Sequence, residues 1–182
     1  MSLYFIRHGQ TVLNTKVMFN GEVDEELNET GIVQATKAGE KFKDVKIDLI
    51  YCSPLKRTRH TMELLNLDKN IPVIYEERLV ERKAGELAHK EIDMDFLQNV
   101  FLNINTDVKV GGMETVDEVF KRVHSVLDEI KEKHSDKNVL IVAHGFVGRA
   151  IYFYFNKLPE SGKLGDCPES FPQNCEVREY VL

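Results

Sequence analysis

The chain has 182 residues, of which 42% are hydrophobic and 30% are charged. These fractions are typical of a soluble globular protein and exclude a disordered or membrane-embedded chain. The formal net charge of −6 argues against binding to nucleic acid or to an anionic membrane, so an anionic substrate would need a locally positive pocket.

At this length we expect a single domain, residues 1–182, whose core needs neither disulfides nor metals. The three cysteines (Cys52, Cys167 and Cys175) are odd in number and lack Cys-x-x-Cys spacing, which predicts neither a disulfide framework nor a zinc site. A reducing cytoplasm is the expected setting. The first strand starts almost at Met1, leaving no room for a signal peptide, and no apolar run approaches the roughly 20 residues that span a bilayer.

The chain opens with a predicted strand at residues 3–6, four consecutive apolar residues followed by Arg7 and His8. Such a run is typical of a strand covered on both faces, and in open α/β sheets ligands bind beyond the carboxyl ends of these strands. Arginine is a fixed cation suited to phosphate, and histidine can be a neutral nucleophile near pH 7. We expect a reactive cluster at this edge, although the pair alone also fits a solvated strand end.

A polar connector at residues 12–26 follows, and its Asn14 is a candidate binding residue. The alternative is that this asparagine is only a loop cap, because asparagine is common in turns. Asn28 then predicts the start of a helix, since its side chain is suited to the N-cap position. The apolar residues that give this helix its period are Ile32, Ala35, Ala38 and Phe42.

The second predicted strand, residues 49–52, ends at Ser53-Pro54. Serine is a good N-cap and proline suits the first helical position, so we predict that a helix starts here. Arg57 then falls in the first turn. Its guanidinium, the helix dipole and the free backbone N–H groups could together bind one anion.

A third strand is predicted at residues 73–75, followed by a charged loop, residues 76–83, that contains Glu81. A charge run of this kind is usually a solvated surface. Residues 86–112 are the least regular part of the chain, and we refer to them as the cap segment. Its apolar residues predict a short amphipathic helix that covers a pocket: Phe96, Leu97, Val100, Phe101 and Ile104.

Thr115 and Glu118 have the spacing of a capping box and open the longest periodic stretch of the chain. An apolar strand at residues 139–143 then ends at His144, next to a glycine, so the pattern of the first strand is repeated. The remaining predicted elements are a helix at 146–155 and a strand near 176–182. Alternating strands and helices predict a three-layer α/β/α sandwich with a mostly parallel central sheet, which would place His8 and His144 at one edge.

Taken together, the motifs resemble those of the histidine phosphatase superfamily in its phosphoglycerate-mutase-like branch. The resemblance covers most of the chain in order. It rests on Arg7-His8-Gly9-Gln10-Thr11 with Asn14, then Leu27, Gly31, Gln34 and Ala35, then Ser53-Pro54-Leu55 with Arg57 and Thr61, then Leu79, Glu81 and Gly85, then Gly112, Glu114 and Thr115, and lastly Val142, His144, Gly145 and Arg149.

The resemblance implies that His8 attacks a phosphoryl group to form a phosphohistidine, and that Glu81 protonates the leaving alcohol and later deprotonates water. For this role Glu81 must be protonated when the substrate binds. The phosphate-binding residues that the resemblance implies are Arg7, Asn14, Arg57 and His144, with His144 carrying a proton. No metal and no cofactor is implied. Arg149 is interpreted as a brace of the last helix.

The family contains hydrolases and mutases, and the cap segment is where they differ. Residues 91–106 contain no arginine or lysine that could grip a substrate carboxylate, and the cap is short, which favours access of water. We therefore predict a phosphomonoesterase acting on a small phosphorylated metabolite. The alternatives are a bisphosphoglycerate-dependent phosphoglycerate mutase and a non-catalytic phospholigand-binding module. A homodimer is possible, and the sequence does not name the substrate.

Overall fold

The computed structural model describes residues 1–16, 18–106 and 108–182. Within these residues, one sheet contains the five strands β1 (Ser2–Arg7), β2 (Leu49–Cys52), β3 (Val73–Tyr75), β4 (Val139–Ala143) and β5 (Val177–Val181). Their order is β3-β2-β4-β1-β5. The first four strands are parallel to one another, and β5 is antiparallel to β1 at one edge. The predicted mostly parallel sheet is confirmed.

Helices cover both faces of the sheet. They are α1 (Val12–Thr15), α2 (Glu29–Gly39), α3 (Lys56–Leu64), α4 (Met94–Phe96), α5 (Val116–Lys133) and α6 (Gly145–Phe155). Leu3 and Phe5 of β1 pack with α5 and α6, whereas Ile6 packs with α2 on the other face. This confirms the three-layer α/β/α sandwich. None of the described helices is long and apolar enough to cross a membrane.

Two predicted helix starts are confirmed, and one is wrong. The Asn28 side chain accepts a hydrogen bond from Gly31 N at 2.8 Å, and Thr115 forms a capping box with Glu118. The helix expected directly after Ser53 instead begins at Lys56. Ser53 does not cap α3, because its hydroxyl accepts a hydrogen bond from His144, and Asp24 Oδ1 accepts the N–H of Lys56 at 2.7 Å.

The cap segment contains the short helix that its apolar residues predict. Helix α4 runs on into a π-helical turn at Leu97–Phe101. The ring of Phe101 lies 4.8 Å from the ring of Phe19 in the connector and 5.8 Å from that of Phe146 in α6. These aromatic contacts hold the helix over the carboxyl edge of the sheet.

Backbone contact between α2 and the loop after β1 fixes the position of that loop. A Cβ on Gly31 would lie 2.2 Å from Gln10 O, and a Cβ on Gly9 would lie 2.5 Å from Gly31 O. Only glycine allows this approach. The side chain of Gln34 also accepts the N–H of Gln10 at 2.9 Å, so α2 holds the loop that carries His8.

Candidate active site

His8 lies one residue beyond β1, and its N–H continues the sheet by donating to Ala143 O at 3.0 Å. Its Nδ1 is 2.7 Å from Gly9 O. Because a carbonyl oxygen only accepts, Nδ1 carries the hydrogen and Nε2 keeps a free lone pair. Burial, and then the charges of Arg57 and Arg7, hold the pKa of His8 well below its usual 6.5. The neutral ring at the cavity wall has the form of a nucleophile.

His144 follows β4, and its ring centroid lies 5.3 Å from that of His8. Arg57 Nε donates to its Nδ1 at 3.2 Å, so the hydrogen is on Nε2, which lies 2.7 Å from Ser53 Oγ. Burial and the charge of Arg57 hold the pKa of His144 well below 6.5. The prediction that His144 carries a proton is therefore wrong for this geometry. The cavity wall formed by the described residues does not include His144, which is fully buried.

The two predicted phosphate-binding arginines differ in how many of their N–H groups are already hydrogen-bonded within the described part of the chain. Arg7 Nη1 donates to Pro172 O at 2.9 Å, and no acceptor among the described residues reaches its Nε. Arg57 lies in the first turn of α3, as predicted, and is fully buried. Besides His144, it donates to Gly21 O at 2.8 Å and to Val23 O. Burial lowers the pKa of both arginines.

Asn14 was predicted either to bind the ligand or to cap a loop, and different atoms of its side chain serve these two roles. Its Oδ1 accepts the N–H of Thr11 at 3.2 Å in a capping box, and it also accepts Asn174 Nδ2 at 3.3 Å. Asn14 is thus the loop cap that its residue type suggests. It also lines the cavity, where its amide nitrogen is the group available to donate to an anion.

Glu81 lies at the amino end of α6. Both carboxylate oxygens are 3.2 Å from Phe146 N, and Oε1 accepts the N–H of Arg82 at 2.9 Å. These hydrogen bonds to backbone N–H groups at the start of the helix fix the orientation of the carboxylate. The side chain is half-buried and lines the cavity. The alternative interpretation of Glu81 as part of a solvated charge run is wrong.

Sequence reasoning missed Arg82, which belongs to the same charge run but is only 2% exposed. Its guanidinium carbon lies 4.0 Å from the ring centroid of Phe101 and 4.7 Å from that of Phe146. It also donates to Glu114 O at 2.8 Å and to Phe101 O. Arg82 therefore fastens the cap segment to the body beside Glu81. Local sequence contains no signal for this, because the aromatic partners come from distant segments.

Thr61 belongs to the same predicted motif as Ser53 and Arg57, and its hydrogen bonds connect this motif to the loop that carries His8. Its hydroxyl donates to Arg57 O at 2.7 Å and accepts the N–H of Gly9 at 3.0 Å. Asn174, which the sequence did not single out, donates to His8 O at 2.9 Å. The loop that carries His8 is thus held by side chains from α3 and from the segment before β5.

These groups surround a cavity of about 630 Å³, a size suited to a small molecule. It lies between the carboxyl edge of the sheet and the cap segment. Of the six predicted site residues, five line it: Arg7, His8, Asn14, Arg57 and Glu81. Its apolar wall includes Met18, Phe19, Leu97, Phe101 and Phe146. The five predicted residues place a neutral imidazole, an amide, two cations and a carboxylate around one small space.

Comparison with known proteins gives consistent matches. Residues 3–168 match a family model described as "Histidine phosphatase superfamily (branch 1)". The "Metal-independent phosphoserine phosphatase" of Arabidopsis thaliana is 31% identical over 173 residues, covering 89% of this chain and 71% of that protein. "Phosphoserine phosphatase 1" of Hydrogenobacter thermophilus is 30% identical over 159 residues, covering 84% and 74%. The structure of Bacillus stearothermophilus YhfR superposes with a TM-score of 0.87 at 26% identity, covering 100% and 91%.

The two buried histidines predict that stability falls in mild acid. Each has a lowered pKa in the folded state, so between the unfolded value of 6.5 and the folded value only the unfolded chain takes up the proton. Below pH 6.5 the free energy of unfolding should decrease by up to about 1.4 kcal/mol per pH unit for each histidine. Urea unfolding at pH 5, 6 and 7 measures this slope.

His8→Asn should remove the contribution of one histidine from the slope of the free energy of unfolding against pH, so the slope should become shallower. His89→Asn is the matched control, because His89 is exposed and asparagine tolerates its positive φ of 63°. If neither His8→Asn nor His89→Asn changes the slope, the assignment of a neutral, buried His8 is contradicted.

Proposed function

Because the chain belongs to branch 1 of the histidine phosphatase superfamily, the phosphoglycerate-mutase-like branch, we propose that it hydrolyses a small phosphomonoester through a phosphohistidine on His8. The observation that carries this proposal is the bond between His8 Nδ1 and Gly9 O, which leaves Nε2 as a lone pair at the cavity wall. Phosphatase names among the relatives support a hydrolase.

In the first step, the phosphate dianion would bind against Arg7, which has donors left, and the amide nitrogen of Asn14. Arg57 would contribute its positive charge from the start of α3. His144 accepts the Nε hydrogen of Arg57, so we assign it to holding that guanidinium in position. Each donor to the transferring group is typically worth about 3–4 kcal/mol.

In the second step, Nε2 of His8 attacks phosphorus and the bond to the leaving oxygen breaks. Glu81 gives that oxygen its proton. Its carboxylate accepts the N–H of Phe146, which holds it at the wall of the cavity where the substrate would bind. Once the alcohol has left, ionised Glu81 deprotonates the water that attacks phosphohistidine.

Water is the proposed acceptor because residues 91–106, the central part of the cap segment, contain neither arginine nor lysine that could retain a second phosphorylated substrate. A mutase would have to hold the released alcohol and return the phosphoryl group to it. A purely non-catalytic role is disfavoured by the convergence of Arg7, His8, Arg57 and Glu81 on one cavity.

The direct test uses p-nitrophenyl phosphate in a chelator-containing buffer. We expect turnover by the wild type and a loss of at least about 10³-fold in His8→Ala, since removal of a nucleophile leaves little catalysis. His89→Asn, at an exposed position, should retain wild-type turnover. Absence of hydrolysis, together with interconversion of phosphoglycerates that requires a bisphosphate primer, would identify a mutase instead.

The role of Glu81 predicts that the effect of its substitution depends on the leaving group. An alkoxide needs a proton as it departs, whereas p-nitrophenolate does not. Glu81→Gln should therefore lower kcat/KM, which reports the steps up to formation of phosphohistidine, by about 10²–10⁴-fold for an alkyl phosphate and by much less for p-nitrophenyl phosphate. Glu77→Gln, at an exposed position of the same charged loop, is the control. Equal losses on both substrates would rule out Glu81 as the general acid.

A further inference from the structure

The two outer strands of the sheet differ in how their open edges are protected. Strand β5 carries the charged residues Arg178 and Glu179, and charged side chains keep a sheet edge from pairing with another chain. Strand β3 has no charged residue, because it consists of Val73, Ile74 and Tyr75. Their exposed fractions are 36%, 38% and 53%. An apolar, exposed and uncharged edge of this kind is typical of a protein interface.

The backbone groups of Val73 and Tyr75 point away from the sheet. On the inner side of β3, Glu76 N–H donates to Cys52 O of β2 at 2.9 Å. Successive residues of a strand direct their hydrogen-bonding groups to opposite sides, so Ile74 also faces β2, whereas Val73 and Tyr75 face outward. Among the described residues, no strand pairs with this side of β3. The edge therefore offers two N–H and two C=O groups to a further strand.

We propose that the open edge of β3 is the surface through which two copies of this chain form a dimer. The two β3 strands pair antiparallel across a twofold axis that passes between the two copies of Ile74. In this register Val73 of each copy lies opposite Tyr75 of the other, and the outward groups form four hydrogen bonds. The charged edge of β5 disfavours pairing of β3 with β5, so the assembly closes as a dimer.

A groove beside β3 suits the side chain that this pairing delivers. Its volume is about 300 Å³, and its apolar lining includes Met62, Leu67, Ile71 and Val73. An apolar cavity of about 150 Å³ is enough to hold a benzene ring. Opposite residues of an antiparallel pair have their side chains on the same face, with Cβ atoms about 5 Å apart. Tyr75 of the second copy, opposite Val73, thus reaches this groove.

The charges at the two ends of β3 fit the same pairing. Lys69 precedes the strand and Glu77 follows it, and both side chains are exposed. Of the other charged residues here, Asp68 is hydrogen-bonded within its own turn, and Glu76 pairs with Arg78. Antiparallel pairing brings the start of one strand to the end of the other. Each Lys69 therefore lies at the Glu77 end of the second copy, which gives two contacts of opposite charge.

Sedimentation equilibrium over a wide range of protein concentrations tests the inference. We expect a wild-type dimer that dissociates on dilution, and Tyr75→Lys should weaken it by at least about 30-fold, as for an aromatic residue at the centre of an interface. Val33→Lys is the matched control, because Val33 is also 53% exposed but lies on α2. It should leave the dissociation constant at the wild-type value. Urea unfolding checks that both variants fold.

Charge reversal at the ends of β3 tests the antiparallel arrangement. Lys69→Glu and Glu77→Lys each make both charge contacts repulsive, so each variant alone should dimerise about 3–30-fold more weakly than the wild type. An equimolar mixture of the two variants should regain the wild-type affinity as a heterodimer, because each contact then joins opposite charges again. Both side chains are exposed, so neither substitution disturbs the core.

A wild type that stays monomeric at every concentration would overturn the inference and leave the edge of β3 to an extended segment of another protein. A dimer that Tyr75→Lys does not weaken, or that Val33→Lys weakens equally, has its interface elsewhere. If Tyr75→Lys does not fold, the charge variants decide, since a mixture that dimerises no better than each variant alone excludes the antiparallel pairing. None of these measurements uses a substrate, so their outcome is independent of the proposed phosphomonoesterase function.

Discussion

The site depends on the parallel pairing of β1 with β4. Arg7 lies opposite Ala143, so His8 and His144 leave the sheet at the same level, and the N–H of His8 adds one more bond to the ladder. Every residue of β4 is fully buried, as expected for a strand with helices on both faces. A slip of one residue would turn the buried side chains to the opposite face. The burial of two central strands thus determines where the two histidines meet.

Burial then determines the chemical state of the groups at that edge. Both histidines are neutral because desolvation and the nearby arginines oppose a further positive charge. Their tautomers are complementary. Gly9 O places the hydrogen of His8 on Nδ1, whereas Arg57 and Ser53 place that of His144 on Nε2. One imidazole is left with a lone pair, which we propose attacks a phosphoryl group, and the other accepts a hydrogen bond from an arginine.

The second constraint is that the arginines of the cavity wall form no salt bridge with an acidic side chain of the described residues. Among the described residues, the wall holds four arginines and one glutamate, and each arginine is anchored through backbone carbonyls or aromatic rings. Carbonyl oxygens and ring faces orient a guanidinium without cancelling its charge. The field of the cavity is therefore positive although the chain has a net charge of −6, so the cavity suits an anionic ligand.

Much of this arrangement could be predicted from local sequence. The apolar runs of β1 and β4, each ending at a histidine, predict the sheet edge, and the spacing after Ser53 places Arg57 in the first turn of a helix. Other features depend on residues that meet only in the fold. Arg82 looks solvated beside Glu81, yet it lies between Phe101 and Phe146. The proton expected on His144 is excluded by an N–H of Arg57, which sequence spacing cannot orient.

The most direct test of the account is to quench the wild-type protein with alkali during turnover of a phosphomonoester and to map the phosphorylated peptide. We expect an acid-labile, alkali-stable phosphoryl group on His8 that forms at least as fast as the alcohol is released. Product formation with no phosphorylated protein, or with the phosphoryl group on another residue, would contradict the assignment of His8 as the nucleophile.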